Sequence, residues 1–135
     1  MPVSKLIINY LLTFAVFLAV DLLWLGVIAK NLYNKYLGSF LSDKVNWPAA
    51  FTFYALYIVG ISVFVIYPAI NKNSLSHAAM MGCFFGFITY ATYDLTNLAT
   101  LKNWPLTIVI IDIIWGSVLC TIVSVAGYQI VKWLG

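Results

Sequence analysis

Arginine and glutamate are absent, histidine occurs once, and only 8% of the residues are charged. The net charge of +3 comes from scattered lysines, too sparse for the dense basic stripe of a nucleic-acid binder. The two cysteines, Cys83 and Cys120, fall inside apolar runs with no CxxC spacing. They read as small packing residues, which excludes a zinc ribbon and argues against a structural disulfide. No Walker loop, dinucleotide fingerprint or Ser-His-Asp arrangement is legible, so no cofactor is expected.

What is present is hydrocarbon. Of 135 residues, 64% are hydrophobic, and the mean hydropathy is +0.99. No soluble domain of this size covers so much apolar surface with so few charges, so lipid must be part of its solvent. Four runs, about 6–29, 49–70, 75–101 and 105–134, are long enough to cross a hydrocarbon core of about 30 Å. None alternates with period two, which favours helices over a closed barrel. The expectation is an all-α, integral membrane four-helix bundle forming a single transmembrane domain over 1–135. The first run is too long for a signal-peptide core and no small-residue cleavage site ends it, so it reads as a retained span.

Connectors are short. The longest, Lys30 to Trp47, spaces Leu32, Tyr33, Tyr36, Leu37, Phe40 and Leu41 helically among Asn and Lys. It either extends the first span or lies in the headgroup layer. Trp47, Trp104 and Trp133 fall at span ends, as interfacial anchors do. Asn46-Trp47-Pro48 and Asn103-Trp104-Pro105 open two spans alike, compatible with a duplicated hairpin. Asp21-x-x-Trp24 and Asp112-x-x-Trp115 instead pair span one with span four. Four spans put both termini on one side, with Lys5, Lys72 and Lys132. The other side carries Lys30, Lys35, Lys44 and Lys102, a balance that barely sets orientation. The usual habit of short even-span proteins places the termini in the cytoplasm.

Three of the four acidic residues, Asp21, Asp94 and Asp112, lie inside these runs. Each costs roughly 2.5–3.5 kcal/mol to insert and so marks a function. At 1.5 Å per residue, all three sit roughly 10–13 Å below the interface opposite the termini. Three unrelated defects have no reason to share a depth; a shared pocket does. Trp24, Trp115, Tyr90, Tyr93 and Asn97 fall on the same faces, and Tyr54 and Tyr57 of the second span lie near the same level. These ten residues are the candidate ligand- or proton-binding site, an aromatic-walled cleft with carboxylates at its base. Carboxylates packed together cannot all ionise, so proton uptake and release are expected there. Helix packing with Tyr, Trp or Asn partners is the plainer alternative. Three Asp plus Asn97 form a hard-oxygen set of the kind that takes Mg²⁺ or Mn²⁺, but no metal is assigned. His77 lies too far along its helix to join. Gly82 and Gly86, and the row Gly116, Cys120 and Ser124, are small-residue steps that let helices approach closely.

The segment from Tyr90 to Thr100, YATYDLTNLAT, followed by Trp104-Pro105, resembles domain-of-unknown-function family 2177, small bacterial membrane proteins. Asp21-Leu22-Leu23-Trp24-Leu25-Gly26 and Asp112-Ile113-Ile114-Trp115-Gly116 are similar to its pattern as well. The resemblance covers nearly the whole chain. It implies a multi-pass protein of the bacterial inner membrane with four helices, and it implies no activity. Three functions stay open. One is proton-coupled transport of a small cationic or amphiphilic molecule, with a homodimer expected because one four-helix unit leaves little room for two gates. Another is a membrane-embedded isomerase or hydrolase acting on a lipid-derived substrate. The third is a lipid-binding or partner subunit. Membrane lipid and a small-molecule or lipid ligand are the expected partners, and nucleic acid is not.

Overall fold

The computed structural model describes residues 2–135, and no β-strand occurs among them. Five helices follow in order: α1 Val3–Ile28, α2 Lys30–Leu37, α3 Trp47–Asn71, α4 Leu75–Thr100 and α5 Leu106–Leu134. Their ends are chemically marked. Asn46 caps α3 by accepting from the Ala49 N–H at 3.2 Å, and Pro48 occupies its first turn. Ser74 caps α4 through the His77 N–H at 3.1 Å. The turns after α3 and α4 contain Asn73 and Asn103, whose φ values of 50° and 62° suit asparagine better than most side chains. Both α1 and α3 contain a π-helical turn, Trp24–Ile28 and Ser62–Ile66 respectively.

Helices α1, α3 and α5 are each long and apolar enough to cross a membrane. Helix α4 has 26 residues, but Thr89, Thr92, Tyr93, Asp94, Thr96 and Asn97 dilute its apolar character. The expectation of four spans is thus met by composition for three, while the helix bounds match all four runs closely. The long helices leave hydrocarbon on the outside: Leu11 and Leu22, Leu56 and Phe64, Met80 and Phe84, and Ile114 are all exposed. Inside, Phe17, Ile58, Ile61, Ile66, Leu119 and Val123 form the main core. An apolar exterior around an apolar core is the pattern of a protein solvated by lipid.

Helices α4 and α5 pack most closely. A Cβ on Gly86 would overlap the Gly116 carbonyl oxygen, and one on Gly82 would overlap Ser124 and the Cys120 backbone. The small-residue steps therefore set this seam. The connector resolves into α2, which breaks from α1 at the buried Ala29 and folds back onto the start of α5. There Leu37 packs with Trp104, Ile108 and Val109. Lys5 Nζ donates to the Gly135 carbonyl at 3.4 Å, so the beginning of α1 lies beside the end of α5.

Two expectations need correction. Trp104 is not an interfacial anchor like the exposed Trp47 and Trp133; it is buried beneath α2, with Phe40 and Tyr93 rings against it. The two Asn-Trp-Pro segments are not structural equivalents either. Asn46 caps its helix, whereas Asn103 is a left-handed turn residue and the start of α5 has no side-chain cap.

Candidate functional site

The π-helical turn at the end of α1 and the fold-back of α2 bring α1, α2 and α5 together around the two Asp-x-x-Trp segments. The Trp115 indole N–H donates to Asp21 Oδ1 at 3.3 Å. The Trp24 indole N–H donates to the Tyr33 hydroxyl at 3.2 Å, and Tyr33 donates to Asp112 Oδ1 at 2.7 Å. Each aspartate is thus served by the tryptophan of the other segment, directly or through Tyr33. The two indoles stack, with ring centres 4.4 Å apart and planes 8° from parallel. The two similar segments thus make a reciprocal contact between α1 and α5.

Asp21 and Asp112 line a hollow of about 390 Å³. Tyr57, Tyr90 and Trp115 form its aromatic walls, with Thr89 and Tyr33 supplying hydroxyls. Leu25, Phe53 and Tyr93 line it too and are exposed, so the hollow is open on their side. Gly116 makes room for one wall: a Cβ there would collide with the Tyr90 ring. The Tyr57 hydroxyl lies 2.7 Å from Thr89 Oγ1 and 3.0 Å from Cys120 Sγ. Burial and the adjacent Asp112 carboxyl push the Tyr33 hydroxyl above the usual phenol range, so it remains a donor.

The ten residues singled out from sequence divide. Asp21, Asp112, Trp115, Tyr57, Tyr90 and Tyr93 line the hollow, and Trp24 backs it by stacking on Trp115. Asp94 is fully buried but does not line it. Neither Asp94 oxygen meets a donor, and its acidic neighbour is Asp112. The three acids therefore form an Asp94–Asp112 pair plus Asp21 across the hollow, rather than one trio. Among the described residues no three Asp, Glu, His or Cys side chains converge as metal ligands would. Tyr54 packs edge-on against Phe17 at 5.7 Å, outside the wall. Asn97 also lies outside it. Tyr33, Leu25 and Phe53 were not foreseen. For Tyr33 the signal was the helical spacing of the connector, but spacing does not say onto what a short helix folds.

Long helices with apolar outer faces, packed around an aromatic-walled hollow, define the class: an α-helical membrane protein. The chain belongs to the family described as Predicted membrane protein (DUF2177), whose model matches residues 6–129. No curated protein and no solved structure matches the chain.

Proposed function

We propose that this is a carrier of the bacterial inner membrane, with α1, α3, α4 and α5 all crossing the bilayer, and that its acidic hollow exchanges protons for a small cationic or amphiphilic molecule. The observation that carries the reading is Asp21 and Asp112 on one aromatic-walled hollow among helices whose outer faces are apolar. A volume of about 390 Å³ falls within the roughly 300–1,000 Å³ of small-molecule sites. Aromatic faces and carboxylates both attract a desolvated cation. The exposed rim of Leu25, Phe53 and Tyr93 gives an amphiphile an apolar way in. The repulsion between two neighbouring carboxylates is relieved by a proton or by a bound cation, and the exchange of one for the other is the coupling this reading assigns to Asp94 and Asp112.

The test is uptake of tetraphenylphosphonium into proteoliposomes under an imposed pH gradient. Wild-type protein is expected to exceed protein-free vesicles by about tenfold, a barrier difference near 1.4 kcal/mol, and Asp94→Asn to lose the dependence on the gradient. Undiminished proton-coupled uptake in that variant would remove the mechanism. A second reading, a membrane-embedded isomerase or hydrolase, draws on the 2.7 Å Tyr33–Asp112 contact beside Asp94. That arrangement suits acid and base work on a lipid-derived substrate. Identical lipid extracts from cells with and without the protein would count against it.

A further inference from the structure

A second polar layer lies deeper in the molecule. Asn9 Oδ1, Thr13 Oγ1, Ser62 Oγ and Ser124 Oγ are buried without a hydrogen-bond partner, and none of the four residues is more than 3% exposed. Their behaviour is selective. Thr52, Thr92, Thr96 and Thr100, on exposed positions, each donate to the carbonyl four residues back, as do Ser117 and Thr121. That is the ordinary solution for a hydroxyl in an apolar helix. Thr13, Ser62 and Ser124 do not adopt it. Counting along α1, α3 and α5, all three sit roughly 14–15 Å from the ends that meet near Lys5 and Gly135. Asn9 lies about one turn nearer those ends, its amide donating to the Gly127 carbonyl at 3.2 Å. Thr13 Oγ1 stands 3.2 Å from the place a Gly127 Cβ would occupy, with the Ile66 side chain nearer still.

This layer lies between two hollows. Toward the termini a space of about 380 Å³ is lined by Lys5, Leu6, Tyr67, Asn71 and Val131. Asn9 is one turn beyond Lys5, and Gly127 one turn beyond Val131, on the same helix faces. In the other direction the fully buried Phe17 stands between Thr13 and Asp21 along α1. Beside it, Tyr57 of the acidic hollow reaches Cys120, one turn from Ser124.

We infer that Asn9, Thr13, Ser62 and Ser124 hold a short file of water that links the acidic hollow to the hollow at the termini, a proton relay within one chain with Phe17 as its constriction. Water fits this chemistry better than a metal cation. Each hydroxyl needs an acceptor as well as a donor, whereas a cation engages lone pairs only, and no carboxylate lies in the layer. A buried water makes about three hydrogen bonds, a demand that these groups can meet. In each transfer a proton passes from one water oxygen to the next, so charge moves while the oxygens stay. The purpose of the relay rests on the carrier reading of the acidic hollow; the water itself does not.

Two measurements test it, neither involving tetraphenylphosphonium nor Asp94, so the carrier reading can fail without deciding this one. In proteoliposomes loaded with a pH-sensitive dye and clamped by valinomycin and potassium, Phe17→Ala is expected to raise passive proton leak about tenfold over wild type. Adding Thr13→Val should return it to the wild-type level. No leak, or a leak indifferent to Thr13→Val, overturns the relay. On unmodified protein in deuterated detergent, magnetisation transfer from water to the Thr13 methyl group and the Asn9 side-chain amide is expected in NMR spectra. Its absence at both sites overturns the inference even if Phe17→Ala does not fold.

Discussion

Gly86 and Gly26 show how differently one residue type is used. A methyl group on Gly86 would occupy the space of the Gly116 carbonyl oxygen, which belongs to backbone and cannot swing aside. Gly86→Ala should therefore destabilise the protein by about 1–3 kcal/mol, the usual cost of overpacking, read as an earlier unfolding transition in a detergent titration. Gly26 has nothing within 4 Å of its Cβ position, and Gly26→Ala should stay within about 0.5 kcal/mol of wild type. Spacing in the sequence pointed to the Gly82–Gly86 step as a packing seam, because close helix approach in lipid needs small side chains at that interval. The role of Gly116 as the floor beneath Tyr90 was not legible, since nothing local says which ring from another helix descends on a glycine. The same limit applies to Asp94. Its place within an apolar run could be counted, but that it neighbours Asp112 without lining the hollow depends on how α4 is rotated against α5.

At the level of elements, α2 is the piece on which the hollow depends. It holds Tyr33 over Asp112 and is itself held by Leu37 and Trp104. Trp104→Ala should cost about 3–5 kcal/mol of local packing. Its signature should be regional: faster amide hydrogen exchange across 31–37, with little change in α3, because local stability follows local contacts. Uniform acceleration along the chain would contradict this picture. The long helices were readable because twenty apolar residues in a row have few other solutions in lipid. The short one was readable only as a helical rhythm. Its docking is a tertiary choice, made where Ala29 is small enough to be buried at a sharp bend, and that choice also accounts for the burial of Trp104.

Across the whole molecule, the contact between Lys5 and Gly135 puts the ends of α1 and α5 together, while Lys44 and Lys102 lie in the connectors at the opposite ends of the long helices. Single cysteines replacing Lys5 or Lys72, in a background lacking Cys83 and Cys120, should react with an impermeant maleimide from one side of sealed vesicles. Cysteines replacing Lys44 or Lys102 should react only from the other. Labelling of Lys72→Cys and Lys102→Cys from the same side would break the proposal that α4 spans the bilayer. Labelling of every site from both sides would instead indicate mixed insertion, which the even spread of lysines permits.

The stacked indoles of Trp24 and Trp115 join α1 to α5 face to face. Two nearly parallel chromophores at 4.4 Å share their excited states, so the protein carries a built-in optical ruler across this seam. The circular dichroism spectrum should contain a paired positive and negative indole band that vanishes in Trp24→Phe and persists in Trp47→Phe. Any event that parts α1 from α5 by even a few ångströms would then be visible as a loss of that couplet, in real time and without an added label.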